Sequence, residues 1–243
     1  LMASTGEAMR EPLAPPGPAV EVAAGLFAAV AALALLHGQR DGQADLSLAE
    51  TVAATGIYET TAFSYRGVVR QRTGPKYAEA LVLNTTLRCV DGYAGLHLNT
   101  QAQWRALCAM MERPELADDP RFRTGSVRAA NWRALDAIVL PWAAGRTAHW
   151  LYHEGQRHKV PFSLIPRPSE VLASPQLAAH GFFEAVEHPT AGTLRLPGAP
   201  FRLDGDAGRA ERAPLLGEHT AAVLEEAGVR DEDLARLRAA AGI

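Results

Sequence analysis

A chain of 243 residues, 48% hydrophobic and 21% charged, has core enough for one large domain or two small ones. Its formal net charge of -3 offers no basic excess for a phosphate backbone, so no nucleic-acid partner is expected. Cys89 and Cys108 are too few for a disulfide framework, and their apolar contexts read as buried free thiols in a reducing cytoplasm.

The opening LMASTG has no basic flank and turns at once to small polar residues, so it reads as neither a signal peptide nor a first strand. PLAPPGP, Pro12 to Pro18, predicts an extended arm, because proline fixes φ and lacks the N–H. VAAGLFAAVAALALL, Val22 to Leu36, is the membrane candidate. It is shorter than the roughly 20 apolar residues of a bilayer span and mostly alanine, so a tightly packed buried helix and no membrane association are expected. An Asp41-Gly42 turn, a short strand in ADLSL and a second helix fading near Tyr58 follow. Thr60 to Thr85 has poor periodicity and reads as a linker with loops.

LRCVDGYAGLHL predicts a strand pair around Asp91-Gly92. Asn99 or Thr100 then caps a helix with Trp104, Leu107, Cys108 and Met111 on one face. Pro120 ends that region. A second helix carries Trp132, Leu135, Ile138, Val139 and Trp142, and Thr147 starts a third towards Gln156. Ser169 is expected to cap a short helix over EVLAS, and Pro175 to start another that stops at Gly181. FFEAVEHP and GTLRLPGAPFRL predict strands. Two helices finish the chain, one ending at Gly228 and one beginning at Asp231.

His149 and His153, four apart on a helix, share a face, but Glu154 follows the second instead of lying between them and no third ligand is evident, so no metal is expected. Neither GxSxG nor a glycine-rich phosphate loop is present. In APLLGEHT, Glu218 and His219 could act chemically, yet Gly217 for a turn and Glu218 at a helix N-terminus favour a cap.

PQLAAHGFFEAVEHPTAGTLRLPGAPFRL followed by APLLGEHTAAVLEEAGV resembles the C-terminal part of family III CoA-transferases, the carnitine and bile-acid CoA-transferase group. The likeness extends to DGYAGLHLNTQAQWRALC, to PELADDPRFRT with Asn131, to LLHGQRDGQADLSLAE and to LMASTG. It implies an α/β fold in which large-domain segments, 1–65 and 191–243, flank a smaller α+β domain at 85–190, with 66–84 as linker. It implies transfer of coenzyme A between an acyl-CoA and a carboxylic acid, with these as substrates and no permanently bound cofactor. The family's nucleophilic aspartate would precede Leu1, so no catalytic residue is expected here, and a partner chain carrying the N-terminal half or an interlocked homo-oligomer would complete the site. A related racemase would hold an acid where Gln101 stands, and a neutral amide cannot accept that proton, so transferase ranks above racemase. RTGPKYAEAL has only Gly74 where some members carry a glycine-rich lid. Arg157, His158 and Lys159 form a basic cluster that reads first as a solvated loop and alternatively as groups that could meet a phosphate or an acyl carboxylate. A non-catalytic scaffold or regulatory subunit is the alternative from another class.

Overall fold

The computed structural model describes residues 2–74, 76, 83–206, 208, 210–229, 233, 236 and 239. They form two compact units, residues 1–165 and 166–243.

The first unit begins with an arm and three helices, α1 (Ala19–His37), α2 (Leu48–Thr55) and α3 (Ile57–Arg66). The turn after α1 falls at Gly38-Gln39 instead of Asp41-Gly42, and ADLSL forms no strand; its Ser47 hydroxyl instead accepts from Glu50 N and caps α2. The helix expected to fade near Tyr58 continues as α3, broken from α2 at Gly56 and ended by Gly67 with φ 64°. Helix α1 does not meet the expectation of burial. Only Ala24 is buried, while Leu26, Val30, Leu33 and Leu36 stand exposed, because α2 covers one side alone. By length and composition, at mean hydropathy 2.3, α1 passes the same test as a membrane-crossing helix or the core helix of a larger protein.

The rest of the unit is a three-stranded antiparallel sheet, β1 (Asn84–Arg88), β2 (Tyr93–His97) and β3 (Phe162–Leu164), packed against helices. The hairpin turns at Asp91-Gly92 as the sequence predicts, and the Asp91 carboxylate also accepts from Ala148 N at 2.7 Å. Strand β3 lies in VPFSLI, where no strand was expected, since three residues carry too little alternation to show. Thr100 caps α4 (Gln101–Met110), with the Gln103 side chain reaching back in a capping box. A short α5 (Gly125–Ala130), α6 (Trp132–Ala144) and α7 (Ala148–His158) follow, the last capped by Thr147. Helix α6 packs on β1, and α7 on β2, β3 and α4.

Alternation along the strands sorts the sheet into two faces. Leu87, Ala94, Leu96 and Phe162 turn into the core with Trp104, Leu107, Phe122, Leu135 and Leu151. Asn84, Thr86, Gly95, His97 and Ser163 fall on the opposite face, with Gly95 paired to Thr86 on one side and Ser163 on the other. A charged side chain, Arg128, is buried in this core. It donates to Phe122 O (2.7 Å) and Gln101 Oε1 (3.1 Å), and its guanidinium lies 5.0 Å from the Trp104 ring centre.

Cys108 is fully buried, and burial pushes its thiol from 9.0 up to about 12. The unfolded thiol ionises near 9.0 while the folded one keeps its proton, so this contribution to stability is complete below 9.0 and is lost as pH rises towards 12. The urea midpoint is therefore expected to fall above pH 9.0, and to fall less in Cys108→Ala; equal slopes would contradict this.

The second unit holds α8 (Pro168–Leu172), α9 (Pro175–Ala179), the hairpin β4 (Phe183–His188) and β5 (Gly192–Pro197), and α10 (Thr220–Glu226). Helix α8 is not capped by Ser169. Pro168 takes the first helical position, and the Glu170 carboxylate accepts from Arg167 N at 2.6 Å. Gly181, φ 61°, stops α9, and Gly228, φ 86°, follows α10, as expected. The last helix, expected from Asp231, lies outside the described residues except for isolated positions. Among the described residues of this unit, Val186 is the buried hydrophobic one, so its hairpin faces are largely open.

Candidate active site

The polar face of the sheet is the floor of a cleft in the first unit, about 470 Å³ in volume. One wall is the N-terminal arm, Ser4 to Gly6; another is Thr55 and Glu59 of α2 and α3; the third is the segment carrying Arg70, Gly74 and Lys76. Gly6 and Gly74 pair as an antiparallel bridge, Gly74 N donating to Gly6 O at 3.1 Å, and both adopt positive φ. Gly74 takes φ 68°, a conformation strained for other residues, and a Cβ there would also push on the tip of the Glu7 side chain, 2.7 Å away.

Arg72 fixes the arm. Its guanidinium donates to the carbonyls of Glu7 (3.2 Å), Ala8 (3.2 Å) and Arg10 (3.1 Å). Arg70 pairs with Glu59, and Lys76 Nζ donates to Asp136 Oδ1 at 2.7 Å with its ammonium 5.3 Å from the Trp132 ring centre. On the floor, Asn84 is buried and committed: it donates to Asn99 Oδ1 and accepts from Leu98 N. Gly95 keeps the floor low, since a Cβ there would approach Ser163 Oγ to 2.5 Å. With its cations already paired to Glu59 and Asp136, the cleft offers hydroxyls and an imidazole that can hydrogen-bond and orient a carboxylate or thioester carbonyl.

The segment read from sequence as a linker thus supplies a wall of the cleft. Its signal, polar residues without periodicity, is also that of a loop, and what distinguishes it is contacts to residues more than sixty positions away.

The residues singled out from sequence sit elsewhere. Arg157 and His158 end α7 and both face Glu154, Arg157 Nη1 at 3.0 Å and His158 Nε2 at 3.3 Å, while Lys159 adopts the left-handed φ of 58° as the helix cap. None of the three lines the cleft. His149 and His153 stack with ring centres 6.4 Å apart on α7, and among the described residues no group of three potential metal ligands gathers. Glu218 accepts from Leu215 N at 2.7 Å and pairs with Arg212, which holds its carboxyl down at about 2. It therefore closes the turn before α10, whose own N-cap is His219.

The sequence profile of CoA-transferase family III matches residues 1–220, and the chain belongs to that family. It is similar to the succinyl-CoA–D-citramalate CoA-transferase of Chloroflexus aurantiacus, 30% identical over 226 residues, which are 89% of this chain and 55% of that protein. It is similar to the human succinyl-CoA:glutarate CoA-transferase at 28% identity, over 93% of this chain and 52% of that protein. Among solved structures it is similar to a CAIB/BAIF family protein from Brucella suis, with TM-score 0.71 and 26% identity over 93% of this chain and 59% of that one. The fold is the mixed α/β fold of this family. The chain spans about half the length of the curated relatives it matches.

Proposed function

We propose that this chain forms part of a CoA-transferase that moves coenzyme A between an acyl-CoA and a carboxylic acid. The observation that carries this reading is the cleft wall at Ser4 to Gly6, in the LMASTG segment. The resemblance puts the family's nucleophilic aspartate just before that segment, so a carboxylate supplied there would meet the mouth of the cleft. Attack of that carboxylate on a thioester carbonyl forms an acyl anhydride and releases the CoA thiolate; the thiolate then attacks the enzyme's carbonyl of the anhydride, expelling the donor acid and leaving an enzyme thioester, and the acceptor carboxylate runs the two steps in reverse, departing as its CoA thioester and freeing the carboxylate. This chain's own side chains would orient the acyl carbonyl and the acceptor.

In this reading the complementary N-terminal half, within a longer chain or as a partner, completes the fold and covers the exposed apolar face of α1; no membrane is invoked. Residues 1–65 and 191–243 then belong to a large domain around a small domain at 85–190, with 66–84 between them, in a cytoplasmic interlocked homo-oligomer that keeps no permanently bound cofactor. A racemase is disfavoured because Gln101, besides being neutral, is held by Arg128 Nη1 at 3.1 Å.

The test is transfer of CoA from a panel of acyl-CoAs to a panel of acids by the assembly of this chain with the N-terminal half. Activity that vanishes when the expected aspartate is changed to alanine supports the proposal; full activity without this chain would leave it a scaffold or regulatory subunit. Arg157, His158 and Lys159 are proposed as outlying contacts for an anionic acceptor. Arg157→Ala is expected to raise KM for an anionic acyl acceptor, and an unchanged KM would remove the cluster from the site.

A further inference from the structure

Helix α6 has two working faces. Leu135 and Val139 enter the core, while Trp132, Asp136 and Leu140, at i, i+4 and i+8, line a second cavity of about 430 Å³. The opposite wall of that cavity is Glu7, Arg72 and Thr73, and it shares Lys76, Thr85 and Thr86 with the polar cleft. The two spaces therefore adjoin, one lined by hydroxyls and an imidazole, the other offering an indole and a leucine side chain.

We propose that the second cavity receives the tail of the acyl group or acceptor acid, and that it selects a neutral, apolar tail over one ending in a second carboxylate. This rests on the carboxylic-acid chemistry proposed above. The cations at the cavity are already committed: Lys76 to Asp136, and Arg72 to three main-chain carbonyls. Two carboxylates, Glu7 and Asp136, line it as well. A distal carboxylate would lose water, meet like charges and have to break the half-buried Lys76–Asp136 pair to find a counter-ion. Methylene groups against Trp132, Leu140 and the alkyl stems of Arg72 and Lys76 meet none of these penalties.

Calorimetric titration with propanoate, hexanoate and adipate tests this on the chain alone and on its assembly with the N-terminal half. Affinity is expected to rise roughly fourfold for each CH2 from propanoate to hexanoate, and adipate is expected to bind more weakly than hexanoate. Leu140→Glu, at a position 43% exposed and so tolerant of charge, should abolish the hexanoate advantage over propanoate. An affinity independent of chain length, tighter binding of adipate, or no binding of hexanoate to either preparation would overturn the proposal. Because binding is read without turnover, hexanoate selectivity together with absent CoA transfer would sink the activity reading alone.

Discussion

Trp104→Ala is expected to lower the unfolding free energy of the first unit by about 3–5 kcal/mol, a large part of the roughly 5–15 kcal/mol that stabilises a domain. Trp104 is fully buried, meets Phe122 edge to face at 6.2 Å between ring centres, and carries the Arg128 guanidinium over its ring. Truncation opens a void and strips a buried cation of its aromatic support. The indole Nε1 has no hydrogen-bond partner among the described residues, so Trp104→Phe removes volume but no hydrogen bond and is expected to cost much less. Urea unfolding of both variants checks the pair; equal losses would mean that ring volume is not what the core needs there.

Gly95→Leu is expected to lower kcat/KM of the complete transferase by about a hundredfold, the scale on which displacing a bound reactant by an ångström acts. The side chain would rise from the middle of the sheet's polar face into the cleft, between Thr86 and Ser163. Gly95→Ala is the control. Its Cβ collides with the tip of the Ser163 side chain, which can rotate away, so the fold and much of the activity should survive. Wild-type kinetics in Gly95→Leu would show that the cleft does not hold the reacting groups.

Local chemistry reveals much of the fold from Asn84 to His158. Asp91-Gly92 announces the hairpin, Thr100 and Thr147 announce helix starts, and the apolar stripes of α4 and α6 are the ones that pack. Where the reading differs, the deciding contact is remote or the element is short. Ile57–Arg66 is helical despite an irregular pattern, bounded by Gly56 and Gly67. Hydropathy marks α1 as apolar without saying what covers it. The cleft is not legible in the sequence: NTTLR has one apolar residue and shows no alternation, its first residues read as linker, and the walls come from Ser4 to Gly6 and from Arg70 to Lys76, which nothing in their own sequence joins. The basic cluster at 157–159 shows the converse, since charge density drew attention to groups that Glu154 and a helix end occupy.

Hydrogen exchange of the complete assembly with and without saturating hexanoyl-CoA tests the central claim most directly, because it reports where the substrate sits whether or not turnover occurs. Slowed exchange in residues 4–8, 70–74 and 95–97 is the expected result. Unchanged exchange in all three, with protection at 157–159 or in the second unit instead, would contradict the assignment of this cleft as the acyl site.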